Sequence, residues 1–321
     1  MFKKFAIATA AIAFAAGAAS AAPTFKITSL TANNASMVEH GYNTQYWTGD
    51  DRGGIAVSTT NVFYTGDGDN TDGSGTATFD LNLGSYSNTN QQLDGIFNNV
   101  KNGDVWALGT SATTPYSGVF NGAQTATHIL KINGATGQPT GVSVALSSSI
   151  TIPGYVGNNS AGIYSGYDRV LIRNGQTGVV QKIDLGTGTV TSLGTVGGTF
   201  YPYSDSWASW GIAEVFGGEE YLVHRGDYSN QSIVRTRVSD GQTTVISTFA
   251  NLGDLYNIAV SPTQNRWYFH WEGGNQFGGS DESIAYADAT FEMSADSVPE
   301  PATLAILGLG LGGLALRRRR R

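Results

Sequence analysis

Gly211-Ile212-Ala213-Glu214-Val215 leads through a turn into Glu220-Tyr221-Leu222-Val223-His224, and Ser232 to Val238 and Thr243 to Phe249 follow. This stretch decides the fold. Each segment is a short run rich in β-branched and aromatic residues, set off by Gly, Asn and Asp, the residues that turn a chain. No apolar stripe of 3.6-residue period runs through it, which argues against helix. Ser239-Asp240-Gly241-Gln242 stands between the last two runs as a tight hairpin turn. The stretch therefore predicts four strands in up-and-down order.

The same grammar recurs. Gly162-Ile163-Tyr164 leads into Val170-Leu171-Ile172, then Gly178 to Asp184 and Thr189 to Leu193, with Asp184-Leu185-Gly186-Thr187-Gly188 as the equivalent turn. Shorter matches are Gly54-Ile55-Ala56-Val57 before Val62-Phe63-Tyr64, Gly95-Ile96-Phe97 before Asp104 to Leu108, and Asn257-Ile258-Ala259-Val260 before Trp267-Tyr268-Phe269. The units start at 54, 95, 162, 211 and 257. Repeated four-strand units at this spacing are β-propeller blades. The expectation is an all-β, β-propeller-like single domain over residues 22–297, simplest as five four-stranded blades. A β-sandwich or β-solenoid is the alternative. The long second unit carries an insertion near Ser111 to Gln124 or conceals part of another blade. The last unit, with Ser283 to Ala287 and Ala289 to Met293, lacks an outer strand. Phe25 to Leu30 is expected to supply it and close the ring, removing an exposed edge.

Both chain ends read as targeting segments. Lys3 and Lys4, the apolar run Phe5 to Ala16, and Ala19-Ser20-Ala21 form a secretory signal peptide over residues 1–21, with Ala19 and Ala21 as the cleavage site for signal peptidase. At the other end Val298-Pro299-Glu300-Pro301 precedes an apolar run, Ala302 to Leu316, and the arginines Arg317 to Arg321. As a helix the run spans roughly 22 Å, short of the ~30 Å hydrocarbon core. It crosses only with bilayer thinning and snorkelling arginines. The arginine block places the C-terminus in the cytoplasm.

Pro299-Glu300-Pro301, a short Gly/Leu-rich span and a terminal arginine cluster, in that order, resemble the PEP-CTERM sorting signal of Gram-negative bacteria. The resemblance covers residues 298–321 alone. It implies recognition of Pro299, Glu300 and Pro301 by an exosortase, a transient stay of the transmembrane sorting helix in the inner membrane, removal of that span, and delivery to the cell surface or extracellular matrix.

Lys3, Lys4 and the five terminal arginines are seven of the eighteen basic residues, whereas Glu300 is the one acidic residue of the twenty-five outside 22–297. The body is therefore near −13, against −7 for the whole chain. That balance excludes nucleic acid as a partner, since phosphate demands basic surface. There is no cysteine, hence no disulfide, thiolate metal site or cysteine nucleophile.

Chemistry-bearing candidates are few. Asp67-Gly68-Asp69-Asn70-Thr71-Asp72 clusters hard oxygens in a Gly-rich turn, which makes Asp67, Asp69 and Asp72 a candidate calcium site, although the spacing departs from an EF-hand loop. No other cofactor is implied. His40, His128, His224 and His270 form no zinc pattern, but His224 and His270 hold equivalent places after the second strand of their units. Asp168, Asp205, Glu214 and Glu272 are carboxylates a glycosidase could pair, and no G-x-S-x-G elbow occurs. Tyr201, Tyr203, Trp207, Trp210, Trp267 and Trp271 gather aromatic rings in the last two units; the four tryptophans are candidate stacking platforms for a sugar, or core. No catalytic residue stands out. The reading is an exported, exosortase-sorted surface or matrix protein with a structural or binding role, with exopolysaccharide as the candidate ligand because aromatic rings fit sugar faces. The alternative is an extracellular glycan-active hydrolase with carboxylates at the propeller mouth.

Overall fold

A computed structural model describes residues 23–31, 36–39, 54–65, 76–88, 91–116, 123–153, 161–197, 209–226, 232–249, 254–272 and 283–294. Its compact unit spans Phe25–Glu292. Among the described residues the regular structure is strand, apart from one short 3-10 turn at Pro262–Gln264.

The strands fall into successive antiparallel meanders. The first is β3 (Ile55–Val57), β4 (Asn61–Thr65), β5 (Thr76–Asp80) and β6 (Tyr86–Asn88). The second is β7 (Ile96–Asn98), β8 (Val105–Gly109), β9 (Gln124–Ile132) and β10 (Pro139–Ile152). The third is β11 (Gly162–Ser165), β12 (Arg169–Arg173), β13 (Val179–Asp184) and β14 (Val190–Thr195); the fourth is β15 (Ser209–Phe216), β16 (Glu219–Arg225), β17 (Ser232–Arg237) and β18 (Thr243–Thr248). The fifth is β19 (Asp254–Ser261), β20 (Arg266–Glu272) and β21 (Ser283–Ser294), completed by β2 (Ser36–Glu39) from the other end of the chain. The repeat seen in the sequence is thus the repeat of the fold, an all-β, propeller-like arrangement.

In the long second unit the described residues form a single sheet: β9 and β10 are nine and fourteen residues long and belong to it with β7 and β8. Phe25–Leu30 pairs with the last strand, as expected: β1 (Thr24–Leu30) lies between β15 and β21, with Phe25 in register with Val215 and the Thr31 N–H bonded to Asp288 O at 3.0 Å. Ser36–Glu39 pairs with that last strand as well, Val38 opposite Ile284, an addition the sequence pattern does not announce. Burial accounts for the position of β1: Phe25, Ile27 and Leu30 are all buried.

The inner strands β3, β7, β11, β15 and β19 touch in cyclic order, β19 meeting β3 again. The apolar core lies between meanders. One part joins Ile55, Tyr64 and Phe79 to Phe97, Trp106 and Ile129, and on to Tyr268. Another joins Phe25, Ile27 and Leu30 to Ile212, Val223, Phe249, Val260 and Trp267. Inner and second strands such as β11 and β12 are buried on both faces, which is why they read as unbroken apolar runs rather than alternations.

Tight turns are set by one device. Asn133, Asn174 and Asp184 each accept two main-chain N–H groups on the side-chain oxygen, from the residues two and three positions on, and a glycine closes each turn at positive φ: Gly137, Gly178 and Gly188. The Asn/Asp side chain mimics a backbone turn and glycine supplies the left-handed residue at no steric cost.

Candidate functional site

Connections inside each strand pair at one end of the unit, such as 58–60, 99–104, 166–168 and 217–218, are two to six residues long; those at the opposite end, such as 66–75, 110–123, 196–208 and 273–282, run from five to fifteen. Side chains staple the short-connection end from meander to meander. Ser58 Oγ donates to Gly134 O at 2.8 Å, Arg266 Nη1 to Leu81 O at 2.9 Å, and Arg169 Nη1 to Glu220 Oε1 at 2.5 Å. Asn99 and Asp168 exchange two hydrogen bonds at 2.8 and 2.9 Å, and Lys101 Nζ lies 2.6 Å from Asp168. Where the inner strands converge, Asn98 takes the Val57 N–H on Oδ1 and gives its own N–H to Ser165 Oγ at 3.0 Å, with Nδ2 directed at Val260 O. Asn98, on β7, thus ties three further inner strands, β3, β11 and β19, to its own.

The long connections at the opposite end include those whose sequence carries Asp67, Asp69, Asp72 and Trp207. Asp67, Asp69, Asp72, Asp205, Trp207 and His40 lie outside the described residues, and so do Ala19, Ala21 and the segment Pro299, Glu300, Pro301; the side chains of Trp210, Trp271 and Glu272 do as well. The connections that carry Asp67–Asp72 and Trp207 are anchored at this end, by Thr65 and Thr76 and by Thr195 and Ser209. Among the described residues no group of three or more His, Asp and Glu could hold a metal ion.

Two candidates are corrected by burial, and a third is held in a part-exposed ion pair. Trp267 is fully buried: it stacks on Phe269 at 4.0 Å and Phe249 at 5.3 Å and donates its indole N–H to Thr31 O at 2.7 Å, so no ring face is left for a sugar. Glu214 is fully buried in an ion pair with Arg235 and accepts the Ile27 N–H at 2.6 Å; it is a structural carboxylate, not a loop acid. Asp168 is held by Lys101 and Asn99.

His224 and His270 do occupy equivalent strands, but each serves its own neighbours. His270 is buried against Tyr64, with ring centroids 4.6 Å apart and Tyr64 Oη 3.2 Å from Nε2. His224 donates Nδ1–H to Arg225 O at 2.5 Å, which leaves Nε2 to accept from Thr236 Oγ1 at 2.9 Å; Thr243 then donates to Thr236 at 3.0 Å. Burial pushes the His224 pKa down to about 3, with the nearby Arg173 charge acting in the same direction against the carbonyl of Arg225. The unfolded imidazole titrates near 6.5. The stability this neutral ring supports is therefore complete above about pH 6.5 and is lost as pH falls toward 3. Urea unfolding at pH 7 and pH 5 should show the wild type losing about 2 kcal/mol more than His224→Gln on that step. Parallel loss in both would remove His224 as the cause.

Arg173 and Arg225, buried near His224, donate to Val196 O and Leu255 O, each at 3.2 Å. The sequence reading missed them, together with Arg235 and Asn98. The available signal was a charged or amide side chain inside an apolar strand, as in Ile233-Val234-Arg235 or Ile96-Phe97-Asn98.

None of this is a catalytic constellation, and the residues that decide the matter lie at the C-terminus. Residues 297–320 match the PEP-CTERM protein-sorting motif. The chain carries an exosortase sorting signal. The PEP-CTERM match implies export and delivery to the cell surface or beyond, with exosortase as the processing partner. No curated protein matches the chain. Among solved structures it is similar to a chain of the nidogen/laminin complex (14% identity, 64% of this chain and 66% of that one, TM-score 0.34) and to TolB from Acinetobacter baumannii (13%, 74% and 55%, 0.34). An auxiliary nutrient binding protein from Bacteroides thetaiotaomicron VPI-5482 is also similar (11%, 82% and 76%, 0.36). The chain thus spans less than two thirds of the first two. Among the described residues no helix is long and apolar enough to cross a membrane, and the expected sorting helix, 302–316, lies outside them.

Proposed function

We propose that this PEP-CTERM chain is a non-enzymatic surface or matrix protein whose body, residues 22–297, is a closed five-bladed propeller with a binding or structural role. The sorting motif at 297–320 carries the reading. The cyclic contact of the five inner strands and completion of the last meander by β2 support closure. In this reading signal peptidase cuts after Ala21, the inner membrane holds the tail only until exosortase acts, and matrix exopolysaccharide is the ligand class. Trp207, Trp210 and Trp271 remain the proposed stacking rings, because their chain positions belong to the long-connection end. Glu214 and Asp168 are already committed to Arg235 and Lys101, which takes two of four carboxylates from the hydrolase alternative.

Changing Pro299-Glu300-Pro301 to alanines in the full chain should leave it at the inner membrane at the unprocessed mass, with the surface and matrix fractions emptied. Wild type should appear shortened in those fractions, and polysaccharide-degrading treatment of the matrix should release it. Processing and release unaffected by the triple change would sink the sorting reading; retention that ignores polysaccharide removal would sink the ligand class alone.

A further inference from the structure

The segment that bridges two meanders is β1. It is hydrogen-bonded to β21 of the fifth meander, the strand that β2 also joins, and on its other side to β15, the inner strand of the fourth. Its main chain is gripped by side chains as well as by a ladder. Ile27 donates its N–H to Glu214 Oε1 at 2.6 Å, and its carbonyl accepts from Arg235 Nη2 at 2.9 Å. Arg235 is in turn fixed on Glu214 through both Nε and Nη2. Beyond Ile27, Leu30 O accepts from Ser247 Oγ at 3.4 Å and Thr31 O from the Trp267 indole at 2.7 Å. Phe25, Ile27 and Leu30 fill apolar positions lined by Ile212, Val215, Phe249 and Trp267. Alternating apolar anchors with main-chain hydrogen bonds are how a sheet edge recognises an extended peptide.

We propose that this cleft is a strand-binding site whose occupant exchanges for residues Thr24–Leu30 of a second copy, linking delivered copies one to the next. Four observations support this. A buried carboxylate–guanidinium pair costs desolvation, and here it serves to hold the peptide unit of a segment from the far end of the chain. The segment lies next to the expected signal cleavage site, so no chain need be threaded for it to leave. Residues 40–53 join β2 to β3 and reach at most about 50 Å when extended, enough to deliver β1 and β2 to a neighbour. The contacts made within one copy and between copies are identical, so concentration decides between them. Donor cleft and donated strand are different surfaces, so the contact is heterologous and propagates into open chains. Its use in a matrix rests on surface delivery as proposed above, but the site itself is tested on purified protein, so either reading fails separately.

The chain has no cysteine of its own, and Phe25 faces Val215 in register, within disulfide reach for an antiparallel pair. Phe25→Cys and Val215→Cys would be made singly and together in the chain from Ala22 to Arg321, purified in detergent. On oxidation the double variant should close internally. The two single variants, mixed at high concentration, should yield a disulfide-linked dimer, several-fold faster with Arg235→Ala in both. Internal closure of the double variant without any mixed dimer would overturn exchange; failure of closure would overturn the cleft. Since Phe25→Cys removes a buried ring, native mass spectrometry of the unaltered chain gives a second reading. A ladder of oligomers on concentration supports the proposal, and a persistent monomer refutes it.

Discussion

Replacing Trp267 by alanine will destabilise the body by roughly 3–5 kcal/mol, the usual cost of deleting a fully buried large aromatic side chain. The indole is at 0% exposure, its two faces are covered by Phe249 and Phe269, and its N–H satisfies Thr31 O. Alanine would leave a cavity between the fourth and fifth meanders and remove the indole hydrogen bond to Thr31 O. Trp267→Phe keeps most of the volume and should retain over half of the loss as stability. Urea unfolding of the three proteins measures this. A variant as stable as wild type but deficient in polysaccharide or matrix binding would return Trp267 to the list of stacking rings.

That residue also shows what was legible in the sequence. The four-strand grammar was readable because each unit writes its inner strands as apolar runs and its turns in Gly, Asn and Asp. Val170-Leu171-Ile172 and the Asp184–Gly188 turn fell where they were expected. What a one-dimensional pattern lacks is which neighbour covers a strand. Nothing in Trp267-Tyr268-Phe269-His270-Trp271 says that Trp267 is covered by Phe249 of the preceding meander and bonded to Thr31 from the chain's far end. The same holds for the N-terminal strand. Phe25 to Leu30 pairs with the last strand, as its composition suggested, but that it also meets Val215 of the fourth meander, and that Ser36–Glu39 joins the same last strand, depends on neighbours distant in the chain. Glu214 was read as a possible acid because sequence shows its charge and not Arg235, twenty-one residues away. The sorting signal was legible in full for the opposite reason. Its order and composition are read locally by another enzyme, so no tertiary context intervenes.

Replacing Glu214 by alanine should cost as much as the loss of Trp267, and for an electrostatic reason. Removing one partner of a buried pair strands the other charge, a penalty of about 3–5 kcal/mol. Arg235 has 12% of its side chain exposed, too little to reach solvent without moving β1, and the Ile27 N–H loses its acceptor as well. The two costs fall on one segment, so loss of the carboxylate should free the N-terminal strand before the rest of the body opens. Limited proteolysis should then cut residues 22–35 in Glu214→Ala under conditions that spare wild type, while the meanders remain protected. Glu214→Gln keeps an acceptor for Ile27 but abandons the guanidinium, and should fall between the two. Glu214→Leu combined with Arg235→Met removes both charges and should recover most of the stability, since the pair's net worth is small beside the penalty for breaking it. The double variant would still leave the Ile27 main chain without side-chain partners. If it recovers stability yet leaves the N-terminus as accessible as in Glu214→Ala, the ion pair acts as a holder of the strand rather than as a source of global stability. If the single variant loses less than about 1 kcal/mol, the range of an exposed ion pair, the pair contributes neither.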